Sequence, residues 1–310
     1  MTQPIQNSDA ADRLPDRFRG VLLGLAVGDA LGGPLEFQPA RTPDRYLTEM
    51  VGGGWQKLAP GEWTDDTQQV LCIVESFLIK RVFDPDDIAR RFVVWMQSSP
   101  KDIGLHTRRV LDAIQRGDSW EDASRDTQAL APDNAPNGSL MRCAPLALFF
   151  CRHPDYVASL SPVLSRITHA HPDCEWACVF LNVAIVGLLN GMSRSEAVER
   201  AYDACDGASQ ALKDRIGSAM QPTCEVAPTG YVLDTLEVAV WAFLHTQTFE
   251  DAVITAVNRG ADADTVGAVV GALAWARYGL TNIPSRWLLS LKEHPFLLDY
   301  ADRLYALAMA

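Results

Sequence analysis

Gly260-Ala261-Asp262-Ala263-Asp264-Thr265-Val266-Gly267 sets three hard oxygen donors, two carboxylates and a hydroxyl, at the mouth of an apolar segment. Val266, Val269, Val270 and Leu273 follow at helical spacing, so the segment reads as a helix with the acids at or just before its start. One Asp there is a cap, since a short oxygen acceptor satisfies a free N–H of the first turn. A second carboxylate beside it needs another partner or repels the first, and a divalent cation is such a partner. In the same helix Gly267 and Gly271 leave one face bare, and Arg17 to Leu31 carries a matching stripe at Gly24, Gly28 and Gly32. A helical glycine costs about 1 kcal/mol against alanine, so the repetition implies a close backbone contact that offsets the loss. These two helices are expected to be central and buried.

Trp63-Thr64-Asp65-Asp66-Thr67 repeats the chemistry: Thr64 in an N-cap position, two adjacent carboxylates, then Val70, Ile73, Val74, Phe77 and Leu78 at helical spacing. Either cluster alone reads as capping; together the two helix mouths fit one site, because magnesium and manganese take oxygen shells completed by water. Gly32-Gly33-Pro34 ends the first glycine-striped helix and puts Glu36 on a loop, either as an exposed carboxylate or as an acid of raised pKa. Asp29 reads as a buried hydrogen-bonding residue near the end of that helix.

Residues 38 to 62, rich in Pro and Gly and including Gly52-Gly53-Gly54-Trp55, form a long loop leading into the first acid cluster. Helices are expected over 67 to 80, 85 to 97 and about 104 to 116, with Asp102 capping the last or facing a ligand. Asn137-Gly138-Ser139 opens an apolar helix from Leu140 to Phe150, a mouth that suits an anion as well as a plain cap. Thr168-His169-Ala170-His171-Pro172-Asp173-Cys174, with Cys178 a turn on, lacks the paired spacing of a zinc site; the cysteines read as packing residues and His169 as a wall residue. Helices over 173 to 190 and 193 to 204, an irregular connection over 207 to 228, and a helix opened by Gly230-Tyr231 follow, with Tyr231 placed either to stack on a flat ring or to edge the core. No period-two segment stands out, so the class is all-α, one compact multi-helix domain over 15–310 behind a flexible tail at 1–14.

A hydrophobic content of 48% supplies ample core, and the net charge of −12 argues against a nucleic-acid groove, which needs clustered Lys and Arg. Seven cysteines without short paired spacings fit a reducing compartment. Neither a membrane span nor an apolar leader is read from the chain, which is expected to be soluble and cytoplasmic.

Taken together, Gly28-Asp29-Ala30-Leu31-Gly32 with Glu36, Thr64-Asp65-Asp66-Thr67, Asn137-Gly138-Ser139-Leu140-Met141-Arg142, Thr168-His169, Gly230-Tyr231-Val232-Leu233-Asp234-Thr235-Leu236 and Gly260-Ala261-Asp262-Ala263-Asp264-Thr265 resemble the ADP-ribosylglycohydrolase family in order and spacing. The likeness runs from about residue 17 to the last helices and looks closest to the bacterial dinitrogenase-reductase-activating branch. It implies an all-α globule with two divalent cations, Mg2+ or Mn2+, that hydrolyses the bond between ADP-ribose and a modified protein side chain and releases ADP-ribose. By motif, Thr64, Asp65, Asp66, Asp262, Asp264 and Thr265 would hold the metals. Glu36 would sit beside them and, with Asp65 and Asp264, serve the chemical step. Asn137, Gly138 and Ser139 would line the phosphate and ribose path, His169 and Tyr231 would hold the distal part of the ligand, and Asp102 would face it. Ala261 departs from the family, which often has a second Gly before its acids.

The likeness favours ADP-ribosyl-arginine, whose guanidinium keeps its charge when glycosylated and is drawn to an acidic site. A serine or small-molecule linkage and a non-catalytic ADP-ribose reader are the alternatives. A terpene-cyclase-like lyase also uses Asp clusters on helices, but here Thr67, Gln68 and Gln69 follow Asp65-Asp66 where its acidic repeat needs a third acid.

Overall fold

A methyl group on Gly28 would stand 1.9 Å from the carbonyl oxygen of Gly267, and one on Gly271 would stand 2.1 Å from that of Gly24. These distances come from a computed structural model that describes residues 13–310. The contact pairs Gly24 with Gly271, Gly28 with Gly267 and Gly32 with Ala263, so the two helices concerned, α1 (Leu14–Gly32) and a late helix (Ala263–Tyr278), run antiparallel backbone against backbone. Both are buried along nearly their whole length, as the glycine stripes imply. The consequence is positional: the C-terminal end of α1, with Asp29 and Glu36, lies beside the N-terminal end of the late helix, with Asp262 and Asp264.

In chain order α1 is followed by α2 (Asp65–Lys80), α3 (Pro85–Gln97), α4 (Leu105–Gln115), α5 (Trp120–Ala129), α6 (Ala144–Phe149), α7 (Pro154–Arg166) and α8 (Pro172–Leu189). Then come α9 (Arg194–Ala204), α10 (Gln210–Ala219), α11 (Val232–His245), α12 (Phe249–Val257), α13 (Ala263–Tyr278), α14 (Ser285–Ser290) and α15 (His294–Met309). Among the described residues there is no strand, only isolated bridges between Gly53 and Leu58 and between Pro136 and Tyr231. The all-α, single-core reading holds. Of the expected tail, residues 1–12 lie outside the described residues, and Leu14 already opens α1.

Two local expectations are corrected. Asn137–Ser139 is a single 3-10 turn, and the helix expected from Leu140 begins only at Ala144. Pro145 explains this: it has no N–H to give the Met141 carbonyl, so it sits at the start of α6 rather than inside a longer helix. The connection expected to be irregular holds α10, where Ser209 accepts from the Leu212 N–H and Leu212, Ile216 and Ala219 are buried on one face.

Two segments, Leu14–Leu35 and Pro172–Leu189, are long and apolar enough to cross a membrane, but 89% and 83% of those windows are buried against the rest of the protein. All seven cysteines are unpaired, and six of them are buried.

Candidate active site

Asp29 organises the site although no acid of the first cluster needs it in the sequence. Its side chain is fully buried, and its oxygens accept from the Thr64 N–H (2.9 and 3.0 Å), the Thr64 hydroxyl (2.8 Å), the Thr67 N–H (3.1 Å) and the Thr67 hydroxyl (2.5 Å). Thr64 occupies the N-cap position of α2 but makes no cap bond of its own; the cap is supplied from α1. The first turn of α2 is thereby tied to the end of α1, which the glycine contact has already set beside α13.

That arrangement brings both helix mouths to one open cavity of about 270 Å³. Glu36, Asp65, Asp66, Asp262, Asp264 and Thr265 line one end, and oxygens of Glu36, Asp262 and Asp264 lie within 4.8 Å of one another. Capping does not account for them. Asp262 stands at the N-cap position of α13 without capping it and accepts instead from Asn137 Nδ2 at 2.9 Å, while buried Asp66 Oδ1 has no partner among the described residues. Burial, with repulsion from neighbouring acids, raises the pKa of Asp65, Asp66 and Asp264 well above the usual carboxylate range. The cause is the same for Glu36, pushed up to about 7 by burial against the opposing hydrogen bonds of Trp55 and Gln56.

Glu36 is not an exposed loop carboxylate: it is 4% exposed and held by a tight hairpin. Gly52, Gly53 and Gly54 all have positive φ (68°, 99° and 67°), which lets the chain reverse so that Trp55 Nε1 and Gln56 Nε2 both donate to Glu36 Oε2, at 2.5 and 2.9 Å. Gln56 Nε2 also lies 3.4 Å from Asp102 Oδ2, and Asp102, which does not cap α4, joins the cavity wall. Phe37 and Trp55, both exposed, meet at the mouth with ring centroids 5.7 Å apart. Phe37 N–H donates to the Ala261 carbonyl at 2.6 Å, and both residues take left-handed backbone, with φ of 59° and 53°. Ala261, a residue with a Cβ, therefore bears the strain of that turn.

The rest of the wall includes Asn137, beside Asp262, together with Gly138, Met141, His106 and His169. The imidazoles of His106 and His169 lie 4.7 Å apart, and burial lowers the pKa of both, so the pair is neutral. The zinc alternative is absent among the described residues: His171 caps α8, Cys174 Sγ donates to the Pro136 carbonyl, and Cys178 is buried beneath Ser139.

Ten of the sequence-derived site residues thus meet at the cavity: Glu36, Asp65, Asp66, Asp102, Asn137, Gly138, His169, Asp262, Asp264 and Thr265. Three are set back from its wall. Thr64 gives its single hydroxyl proton to Asp29 Oδ1 at 2.8 Å and keeps its lone pairs beside Asp66 Oδ2, 3.2 Å away. Ser139 turns inward, accepting from Ser165 Oγ at 2.8 Å, and the Tyr231 hydroxyl donates to Asp173 at 3.2 Å. Asp29 is the buried hydrogen-bonding residue that the sequence suggested, but its partners Thr64 and Thr67 emerge only from the structure, as do Gln56, His106 and the bond from Trp55 to Glu36.

Clustered, buried carboxylates in a cavity, with pKa values raised by burial, mark a candidate catalytic centre on an all-helical frame. A family model described as ADP-ribosylglycohydrolase matches residues 10–310, and the chain belongs to that family. It is 34% identical to "ADP-ribosylarginine hydrolase Tri1" of Serratia proteamaculans (strain 568), over 94% of this chain and 80% of that protein. It is 36% identical to "ADP-ribosyl-[dinitrogen reductase] glycohydrolase" of Rhodospirillum rubrum, over 94% of this chain and 97% of that one. A solved structure titled "ADP-ribosylglycohydrolase-related protein complex" superposes with a TM-score of 0.84 at 39% identity, covering 96% of this chain and 100% of that one. The protein is a glycohydrolase enzyme.

Proposed function

We propose that this enzyme hydrolyses the bond between ADP-ribose and an arginine side chain of a modified protein, releasing ADP-ribose and restoring the arginine. The observation that carries the reading is the convergence of Glu36, Asp262 and Asp264 within 4.8 Å in a cavity that Asp65 and Asp66 also line. The donor set fits divalent cations: it is all oxygen, its carboxylates repel one another, and the Asp66 Oδ1 atom lacks any other partner among the described residues. Thr64, Asp65, Asp66, Asp262, Asp264 and Thr265 would hold two ions, Mg2+ or Mn2+. When bound, these supply Lewis acidity toward the ribose hydroxyls and favour an attacking water.

The chain's own residues do the rest. Asn137 fixes the Asp262 carboxylate through Nδ2. Trp55 and Gln56 both occupy Glu36 Oε2, which leaves Oε1 to exchange a proton with water or leaving group. In the cavity without ions burial pushes that carboxyl up to about 7, and cations bound beside it would draw it back down. His169, neutral and buried, offers a hydrogen bond to the distal part of the ligand without adding charge.

Arginine is favoured by the mouth. Asp102 and Glu36 face it from one side, and Phe37 and Trp55 offer aromatic faces on which a guanidinium stacks. The Serratia relative carries arginine in its name, which supports the same choice. A cytoplasmic setting is proposed from the seven unpaired cysteines. The test is ADP-ribose release from an arginine-linked peptide after chelation and again after adding Mn2+ or Mg2+. Release only in the presence of metal is expected; equal release without it removes the metal reading, and none in either case removes the substrate.

A further inference from the structure

Arg142 is fully buried, has no carboxylate partner among the described residues, and lies with its guanidinium 4.2 Å above the Phe92 ring. Such a cation costs several kcal/mol to bury unless its donors are used. Both Nη groups are used, in two directions, while Nε has no partner among the described residues. One Nη donates to Gln69 Oε1, and Gln69 Nε2 donates to Asp65 Oδ2 at 3.2 Å. The other Nη donates to Thr168 Oγ1, which is 2.7 Å from His169 Nδ1. The Thr168 carbonyl accepts from His106 Nε2 at 2.9 Å.

A guanidinium only donates, so both of its partners must accept, and that fixes what lies beyond them. Gln69 must turn its oxygen to Arg142 and its NH2 to Asp65. Thr168 Oγ1 is fully buried and has its own proton to place; among the described residues His169 Nδ1 is the one acceptor it reaches, and accepting there as well would leave that O–H unpaired at a cost of about 1–3 kcal/mol. Nδ1 is then unprotonated, and the neutral ring carries its proton on Nε2, the edge facing Gly138 on the cavity wall. We propose that Arg142 is a positioning residue that sets the hydrogen-bond polarity at two places on the cavity wall, aiming an amide donor at Asp65 and an imidazole Nε2–H donor at the ligand. The assignment rests on this cavity being the ADP-ribose site. It gives the buried cation a task that no contact with substrate requires.

The first test needs no variant: 15N NMR of the histidine rings in the metal-free enzyme, with the His169 signals assigned by their loss in His169→Gln. An Nε2–H tautomer at pH 7 is expected; an Nδ1–H tautomer or an imidazolium overturns the proposal. The second compares Arg142→Lys with wild type by calorimetric titration of Mn2+ and of ADP-ribose, since a lysine reaches one partner but not both. Both affinities should fall about tenfold. A lower Tm with both affinities unchanged overturns it. If that variant does not fold, Gln69→Met and Thr168→Val cut the two arms separately: the first should weaken Mn2+ alone and the second ADP-ribose alone, and no effect in either overturns the assignment. These readouts do not depend on turnover. An enzyme inactive on arginine-linked substrate would refute the proposed function while the tautomer and the Mn2+ titration still decide the role of Arg142.

Discussion

Asp29→Asn in metal-free enzyme isolates what burial costs the acid that ties the helix mouths together. The Asp29 carboxyl, ordinarily at 3.8, is pushed up to about 6 by burial, and the bonds from Thr64 and Thr67 only partly oppose the shift. A carboxyl raised in the folded state keeps its proton there longer than in the unfolded chain. Its contribution to stability is therefore complete below pH 3.8 and lost as pH rises through about 6. The full span is worth about 3 kcal/mol, and about half of it is lost between pH 5 and pH 8. Asparagine cannot titrate. Whatever fixed cost its amide incurs beside the threonine donors, the stability of wild type relative to Asp29→Asn should fall by about 1 to 2 kcal/mol over that window. Taking the difference cancels His106 and His169, whose lowered pKa values act in the opposite sense, since both proteins carry them. Urea unfolding in EDTA at pH 5, 6, 7 and 8 measures it. A difference that does not change with pH, or that moves toward wild type as pH rises, refutes the burial argument for the acid cluster.

Asp65→Ala and Asp264→Ala should each abolish turnover while circular dichroism stays that of a folded helical protein, because each removes a carboxylate from the cavity rather than a core contact; full activity in both would remove the acid cluster from the mechanism. Glu36→Gln should lower kcat by about a hundredfold or more with ADP-ribose affinity far less affected; affinity falling in step with rate would make Glu36 a binding group. Gly28→Ala should cost about 3 kcal/mol or more, since the added methyl would stand 1.9 Å from the Gly267 carbonyl oxygen and neither backbone can give way alone. A Tm within about 2 °C of wild type would mean that α1 and α13 are not in that contact.

The frame was legible where spacing alone encodes it. Glycines four apart in two segments predict the close contact of α1 with α13, and the α3 boundaries at Pro85 and Gln97 follow from pattern and proline. The convergence of Asp65 and Asp66 with Asp262 and Asp264 was legible because two helix mouths with the same Asp, Asp and Thr donors fit one cation site, although either alone reads as capping. What stayed hidden depends on side-chain direction or on partners far apart in the chain. Asp29 was read as buried and hydrogen-bonded, but that it caps α2 from a helix on the far side of the loop could not be read from its own motif. Ser139 and Tyr231 lie in recognisable motifs, yet one turns to Ser165 and the other to Asp173, directions fixed by packing. α10 was missed because its apolar stripe, Leu212, Ile216 and Ala219, is only three residues in a polar run.

The most direct test is the initial rate of ADP-ribose release from two peptides of one sequence, modified on arginine in one and on serine in the other, with Mn2+ present. The account predicts release from the arginine peptide at a clearly higher rate, falling to background in EDTA, because the proposed substrate's planar cation would lie near Asp102 and the exposed rings of Phe37 and Trp55. Faster release from the serine peptide would contradict the assignment of substrate, and release undiminished by EDTA would contradict the role given to the acid cluster.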